Sequence, residues 1–186
     1  GVRAAEELNT AEGKRLLEQI ARAGFKIMIF SGGEPLMRSD IVELVEHARS
    51  LGLRPVFGTN GSLITLEMAE RLKAAGTMGV GISLDSLDPD KHDRLRKYDG
   101  AWAEAVQGMK NCRAAGLPFQ IHTTAMEWNE DEIEAITDFA VEMGAVAHHI
   151  FFLVPTGRAV NIEDEALRVD KYESLLQRIL TKQQQV

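Results

Sequence analysis

The sequence predicts an α/β fold in which the strands of a parallel sheet alternate with helices that cover it. Three observations carry this prediction: short apolar runs recur along the chain, amphipathic stretches separate them, and a glycine precedes each run. Near-continuous apolar strands are typical of a parallel sheet covered by helices. Right-handed crossovers then join successive strand–helix units into one sheet. This periodicity fits both an open partial barrel and a doubly wound sheet.

The individual elements follow in order from these patterns. The predicted strands are rich in β-branched or aromatic residues and cover residues 26–30, 54–57, 78–84, 119–123 and 148–154. Helices are predicted to begin where a capping residue precedes an amphipathic stretch, at Asn9, Thr65, Asp88 and Asn129. A glutamate three residues after Asn9 and after Asn129 completes a capping box in both places. Glycines in the left-handed conformation are expected to end the helices, at Gly24, Gly52, Gly76, Gly116 and Gly144.

Composition and charge exclude several classes of protein. The chain has 186 residues, of which 45% are hydrophobic and 26% charged, which is ordinary for a globular domain. Its net charge of −7 is a poor match for nucleic-acid phosphates or anionic lipid, so neither is an expected partner. No apolar run approaches the roughly 20 residues that span a bilayer, and a cytoplasmic location is expected. A single cysteine, Cys112, excludes a disulfide framework and a multi-cysteine metal site within these residues.

The turns that follow the predicted strands are the candidate functional sites, because ligands bind at the carboxyl ends of parallel strands. After the first strand, Gly32 and Gly33 allow a close approach of the backbone to a ligand. Glu34 is suited to accept a hydrogen bond from an ammonium group. After the third strand, Ser83 and Asp85 suit paired hydroxyls such as a ribose diol. Together these residues suit a ligand with an amino-acid end and a nucleoside end.

Each turn taken alone also has an ordinary structural interpretation. Gly-Gly-Glu-Pro and Thr-Asn-Gly are common tight turns, since glycine and proline interrupt any loop. Asp85 alone is equally suited to cap a helix, and Arg158 alone is typical of a solvated surface charge. These alternatives stay open until the turns are considered as a set.

The histidines and the cysteine are interpreted as structural. His148 and His149 are adjacent on a strand, so their side chains are expected on opposite faces of the sheet and not on one metal ion. His47 and His92 lie on predicted helices and are expected at the surface. Cys112 is expected to be an inert thiol, and no metal-binding residue is assigned.

Taken together and in this order, the turns resemble the radical S-adenosylmethionine (SAM) superfamily. They read Gly-Gly-Glu-Pro-Leu after the first strand, Thr-Asn-Gly after the second, Ser-Leu-Asp-Ser after the third and Val-Pro-Thr-Gly-Arg after the last. The resemblance runs from Glu6 to about Asn161. Through residues 151–158 it is nearest to the haem-biosynthesis branch, which oxidatively decarboxylates tetrapyrrole propionates, and to its haem d1 relatives. Maturases of peptide-derived cofactors and the molybdenum-cofactor cyclase share the first and third turns.

The resemblance implies a partial (β/α)6 TIM-like barrel with outer helices, of which five strands are present and the first is missing. Residues 1–181 are expected to be one barrel domain and residues 182–186 a frayed tail. Gly32, Gly33 and Glu34 would hold the amino end of S-adenosylmethionine, with Pro35 fixing the turn. The other implied cofactor contacts are Thr59 and Asn60 at the same mouth, Ser83 and Asp85 near the ribose, the backbone of Leu153 and Val154 beside the adenine, and Arg158 near the cofactor or a substrate carboxylate.

The superfamily's defining loop, Cys-x3-Cys-x2-Cys, is not in this chain. In the full-length protein its thiolates would bind a 4Fe-4S cluster and leave one iron open for S-adenosylmethionine. The resemblance implies an iron–sulfur oxidoreductase in which an electron from that cluster cleaves S-adenosylmethionine, and a 5′-deoxyadenosyl radical then abstracts a hydrogen from a tetrapyrrole. A ferredoxin or flavodoxin would supply the electron. The chain alone is expected to hold no cluster and to have no turnover, and no catalytic residue is assigned.

Three other functions stay open. A maturase of a peptide-derived or molybdenum cofactor would share the same turns. A barrel that acts on sugar phosphates would need a glycine-rich loop with a lysine at the last turn, which residues 154–157 do not supply. A non-catalytic barrel module that has lost its cluster would need none of the missing cysteines.

Overall fold

A computed structural model of the chain describes residues 7–154 and 164–186, and these contain an α/β fold. The helices are α1 Thr10–Arg22, α2 Ile41–Ser50, α3 Leu66–Ala74, α4 Pro89–Arg96, α5 Ala101–Ala115, α6 Ile133–Met143 and α7 Val169–Gln183. The strands are β1 Ile27–Phe30, β2 Arg54–Thr59, β3 Gly79–Ser83, β4 Phe119–Ala125 and β5 Ala147–Phe152. All five lie in one sheet of order β1-β2-β3-β4-β5. The predicted parallel α/β fold is confirmed.

The chain divides into two compact units, and the first comprises Gly1–Ile82 and Glu104–Phe119. In this unit β1 pairs in parallel with β2, and β2 pairs in parallel with β3. Helix α2 illustrates how the helices of this unit bury an apolar face. Its buried residues recur every three or four positions and are Ile41, Leu44, Val45 and Ala48. Such a stripe gives a helix one apolar face, and burying that face is the main source of its stability.

The second unit comprises Ser83–Ala103 and Gln120–Val186. Here β4 pairs in parallel with β5, and residues of the two strands stand directly opposite one another, as His122 does with His149. A small core of Ala125, Ile133 and Leu175 joins β4 to α6 and α7. From β5, the alternate residues Ile150 and Phe152 pack against this core, as the two-residue period of a strand requires.

Several predicted helix ends are confirmed. Asn9 and Glu12 form the capping box that begins α1, and Thr65 and Asp88 cap α3 and α4. The five predicted terminal glycines all have positive φ. Among the described residues, no helix is long and apolar enough to cross a membrane. Helix α7 ends at Gln183, two residues inside the segment expected to fray.

The prediction that Asn129 caps a helix is wrong. Helix α6 begins four residues later, at Ile133, and Asn129 is fully buried. Its amide instead satisfies backbone groups of the turns that follow β3 and β4. A buried backbone group without a partner costs more than an exposed helix end that water can reach, which explains this use of the side chain.

Candidate functional site

The loop after β1 leaves its backbone open to solvent. Gly32 has a φ of +140°, a conformation that L side chains rarely adopt, and Gly33 follows it. A Cβ built on either glycine would meet no other heavy atom within 4 Å. This loop therefore offers backbone N–H and C=O groups to a ligand without a side chain in the way. Pro35, which is buried, then begins a short 3-10 turn, Pro35–Met37.

Glu34 ties this loop to the loop after β2. Its Oε1 accepts from the hydroxyl of Thr59 at 2.8 Å and from the N–H of Leu36 at 3.1 Å. Its Oε2 accepts from the N–H of Asn60 at 2.9 Å. A carboxylate accepts about four hydrogen bonds, so roughly one acceptor position is left. The structure therefore brings Glu34, Thr59 and Asn60 together, as the sequence predicts for residues at one mouth.

Close packing against α5 holds the loop after β2 in place. Gly61 has a φ of +86°, and a Cβ on it would lie 2.9 Å from Ile82 and 3.1 Å from Ala105. On the facing helix, a Cβ on Gly108 would lie 2.6 Å from the carbonyl oxygen of Gly61. Glycine is needed at both positions, and the loop that carries Asn60 is thereby fixed against α5.

In the second unit, Asp85 lies in the turn after β3 and is fully buried. Arg96 donates to its Oδ2 from Nε at 3.0 Å and also from Nη2, while the N–H of Thr124 donates to Oδ1 at 3.0 Å. Both carboxylate oxygens are thus used by protein groups. Ser83, the last residue of β3, is half-buried. Contact of Asp85 and Ser83 with a ribose stays a prediction.

His92 belongs to the same network, and its predicted surface position is wrong. Its ring is buried and its Nδ1 accepts from the N–H of Asp85 at 3.1 Å. Burial lowers the pKa of His92, and the nearby Asp85 carboxylate, which raises it, only partly offsets this effect. Sequence reasoning missed His92 and Arg96, although their spacing of four places them on one face of α4 and was a usable signal.

The residues expected beside an adenine follow β5. Leu153 is half-buried and its N–H donates to the carbonyl of Ala125 at 3.4 Å, whereas Val154 is exposed. Arg158 lies outside the described residues. The contacts predicted for these three positions stay predictions.

The strand histidines divide between two faces, as predicted for His148 and His149. His148 contacts the hydroxyl of Thr137 on α6 and that of Thr123 on β4, each at 2.9 Å. Burial, with smaller contributions from the other two histidines, lowers its pKa to about 4. His149 stacks instead on the ring of His122. Burial also lowers the pKa of His122, as does the neighbouring His149.

The residues present do not fit an iron–sulfur cluster. Cys112, the only cysteine of the chain, is buried on α5, and burial raises its pKa to about 12. The metal-binding thiolate form is therefore disfavoured, and the inert thiol stays a prediction that this burial favours. No group of three or more His, Cys, Asp or Glu side chains within residues 7–154 and 164–186 is arranged to hold a metal ion.

Comparison with known proteins identifies the family of the chain. A family model described as "Radical SAM superfamily" matches residues 1–140. The AdoMet-dependent heme synthase of Methanosarcina barkeri is 43% identical over 172 residues, which cover 92% of this chain and 49% of that protein. The Fe-coproporphyrin III synthase of the same organism is 37% identical over 176 residues, which cover 95% of this chain and 44% of that protein.

Solved structures share the fold. Streptococcus suis SuiB bound to precursor peptide SuiA has a TM-score of 0.84 at 19% identity, over 99% of this chain and 42% of SuiB. SuiB bound to S-adenosylmethionine has a TM-score of 0.78 at 19% identity, over 98% and 43% of the two chains. The chain spans about half the length of the curated relatives it matches. Since the family model covers three quarters of it, the chain belongs to the radical SAM superfamily, whose members use S-adenosylmethionine and a 4Fe-4S cluster.

Proposed function

We propose that this chain is the cofactor-binding part of a radical SAM oxidoreductase that modifies a tetrapyrrole in haem biosynthesis. The observation that carries this proposal is the 43% identity to a heme synthase over 92% of the chain. That stretch is long enough to include both loops that Glu34 joins. The turn sequences that resemble the haem-biosynthesis branch support the same substrate class.

For the amino-acid end of S-adenosylmethionine, we assign the open backbone of Gly32 and Gly33 and the remaining acceptor position of Glu34. An ammonium group donates three hydrogen bonds and is best matched by a carboxylate. Pro35, Thr59 and Asn60 act by holding Glu34 and its loop in place. In this assignment the cofactor supplies the radical chemistry, and the protein supplies binding and orientation.

In the second unit, we assign Ser83 to the ribose and the backbone of Leu153 and Val154 to the adenine. Asp85 is assigned as a positioning residue, because Arg96 and Thr124 occupy its carboxylate. The role of Arg158 near the cofactor or a substrate carboxylate belongs to the same proposal. So do a cytoplasmic location and a ferredoxin or flavodoxin as electron donor.

The test uses the protein expressed from its full open reading frame and reconstituted without oxygen with iron and sulfide. We expect reduction by dithionite to convert S-adenosylmethionine to methionine and 5′-deoxyadenosine. With iron coproporphyrin present, we expect propionate side chains to lose a hydrogen atom to the 5′-deoxyadenosyl radical, their carboxyl carbon as carbon dioxide and one electron to an added acceptor. The vinyl groups that remain are measured by mass spectrometry of the porphyrin.

The outcomes separate the alternatives. Cleavage of S-adenosylmethionine without any change in the porphyrin would overturn the substrate class and favour a maturase. A reconstituted protein without a cluster and without cleavage would favour a non-catalytic module. The variant Glu34→Gln should weaken S-adenosylmethionine binding, whereas the exposed control Glu46→Gln on α2 should not.

A further inference from the structure

Three aromatic rings form a cluster on β4 and β5 of the second unit. The rings of His122 and His149 are nearly parallel, at 5° and with centroids 5.3 Å apart. The ring of Phe151 meets His122 edge-on at 5.3 Å and His149 at 6.4 Å. We call His122, His149 and Phe151 the ring cluster.

The ring cluster lies on the side of the two strands that α6 and α7 do not cover. The alternate residues of β5, Ile150 and Phe152, pack against the core that these helices share, and His148 contacts Thr137 of α6. Strand geometry places His149 and Phe151 on the other side, where both are exposed. The unit therefore presents aromatic rings to solvent on a face of the sheet.

His149 is the member of the cluster with free ligand atoms. His122 is half-buried and its Nε2 hydrogen-bonds Oε1 of Gln120 at 3.2 Å. Within the described residues, His149 has no hydrogen-bond partner, and its ring is oriented only by its stacking on His122 and its edge contact with Phe151. An imidazole held in this way presents a nitrogen lone pair without having to break another bond.

A single free imidazole is an incomplete site for a free metal ion. Zinc in proteins takes about four ligands, and the described residues place no third His, Cys, Asp or Glu beside the pair. Iron that is already held by four pyrrole nitrogens needs only an axial ligand, and histidine is a common one. The donor set therefore favours the iron of a macrocycle over a free ion.

We propose that His149 is an axial ligand to the iron of an iron tetrapyrrole, with His122 and Phe151 holding its ring and packing against the macrocycle. This inference rests on the proposed function and adds the atom that recognises the metal. It requires that the protein distinguish an iron tetrapyrrole from the metal-free molecule.

The test measures binding of ferric coproporphyrin and of metal-free coproporphyrin to the full-length protein by optical titration and electron paramagnetic resonance. We expect His149→Ala to lower the affinity for the iron form on the order of tenfold, as the loss of a metal-site contact does, with little change for the metal-free form. The nitrogen-ligand signature of the iron should disappear and return on addition of imidazole. Since His149 is exposed, this substitution removes no core contact.

Two control variants accompany the test. His47→Ala on α2 removes a histidine from the first unit and should leave both affinities unchanged. Phe151→Leu removes a flat ring but no ligand atom, and should weaken both forms to a similar extent.

Three results would overturn the proposal. An unchanged iron signature in His149→Ala would exclude the axial ligand. An equal loss of affinity for the iron and metal-free forms would show a ring contact without ligation, and would leave the proposed function standing. If the wild-type protein cleaves S-adenosylmethionine but binds neither porphyrin, the proposed substrate class fails together with this inference.

Discussion

At the scale of single residues, Glu34 and Asp85 each leave few acceptor positions free of protein partners. Glu34 accepts three hydrogen bonds from protein groups, and Asp85 is fully enclosed. The turn sequences predicted both carboxylates as candidates. They did not predict that Arg96, eleven residues further along the chain, neutralises Asp85, because such pairing depends on the packing of α4 and not on the turn.

Replacing Glu34 tests the first assignment. In the full-length protein, Glu34→Gln removes the charge that an ammonium group would meet. We expect the affinity for S-adenosylmethionine to fall at least about tenfold, since a hydrogen bond to a charged group contributes about 1.5 to 3 kcal/mol. Isothermal titration calorimetry measures the effect, and Thr59→Val, which removes one support of Glu34, should cause a smaller loss. Equal affinities for Glu34→Gln and wild type would contradict the assignment.

His148 makes the stability of the second unit sensitive to acid. The pKa of its imidazole is about 4 in the folded protein against 6.5 in the free side chain. The unfolded chain therefore binds the proton more readily, and the stabilisation is complete above about pH 6.5 and is lost as the pH falls towards 4. Each unit of pKa difference corresponds to about 1.4 kcal/mol, so the full loss is on the order of 3 kcal/mol.

Urea denaturation between pH 7 and pH 4 measures this effect. As the pH is lowered, we expect the free energy of unfolding to decrease less in His148→Gln than in the wild type. Parallel curves for His148→Gln and the wild type would show that another group carries the acid sensitivity.

At the scale of elements, local signals located the strands and most helix ends because each depends on only a few neighbouring residues. The Asn9 capping box and the terminal glycines are local in this sense, and both are confirmed. Asn129 shows the limit. Its sequence context fits a cap, yet its amide serves two strand-end turns, one of which lies more than 40 residues away along the chain.

Asn129→Ala is therefore expected to destabilise the second unit strongly. The substitution leaves the N–H of Met126 and the carbonyls of Asp85 and Thr124 without this partner. Each buried group left unsatisfied costs about 1 to 3 kcal/mol, so we expect a loss of at least about 3 kcal/mol in urea denaturation. The control Asn9→Ala removes an exposed cap and should cost only about 1 kcal/mol. Similar losses in the two variants would contradict this role.

The contact between α5 and the loop after β2 makes a second prediction at this scale. Alanine usually stabilises a helix relative to glycine, but a Cβ on Gly108 would lie 2.6 Å from the carbonyl of Gly61. We expect Gly108→Ala to destabilise the protein by about 1 to 3 kcal/mol, as overpacking does. Thermal denaturation measures this, and Lys110→Ala, at an exposed position of the same helix, is the control. A variant as stable as the wild type would mean that α5 can shift away from the carbonyl of Gly61 without a measurable cost in free energy.

At the scale of the whole molecule, the turns together indicated the superfamily, because four short motifs in order are far more specific than any one of them. The same comparison of motifs shows that the chain lacks the three cysteines that bind the cluster in this superfamily. Its one thiol is buried with a pKa of about 12. We expect the 186-residue chain, incubated with iron and sulfide, to stay colourless and to retain no iron after desalting. A brown protein with about four irons per chain would contradict this.

The exposed apolar side chains at strand β1 affect how the isolated chain behaves in solution. Phe25, Ile27 and Ile29 are each more than half exposed, and they follow one another at every second position. Exposed apolar side chains on and just before the edge strand β1 promote association between molecules. Purified alone, the polypeptide should scatter more light as its concentration rises, and a charged replacement such as Ile29→Lys should keep it dispersed.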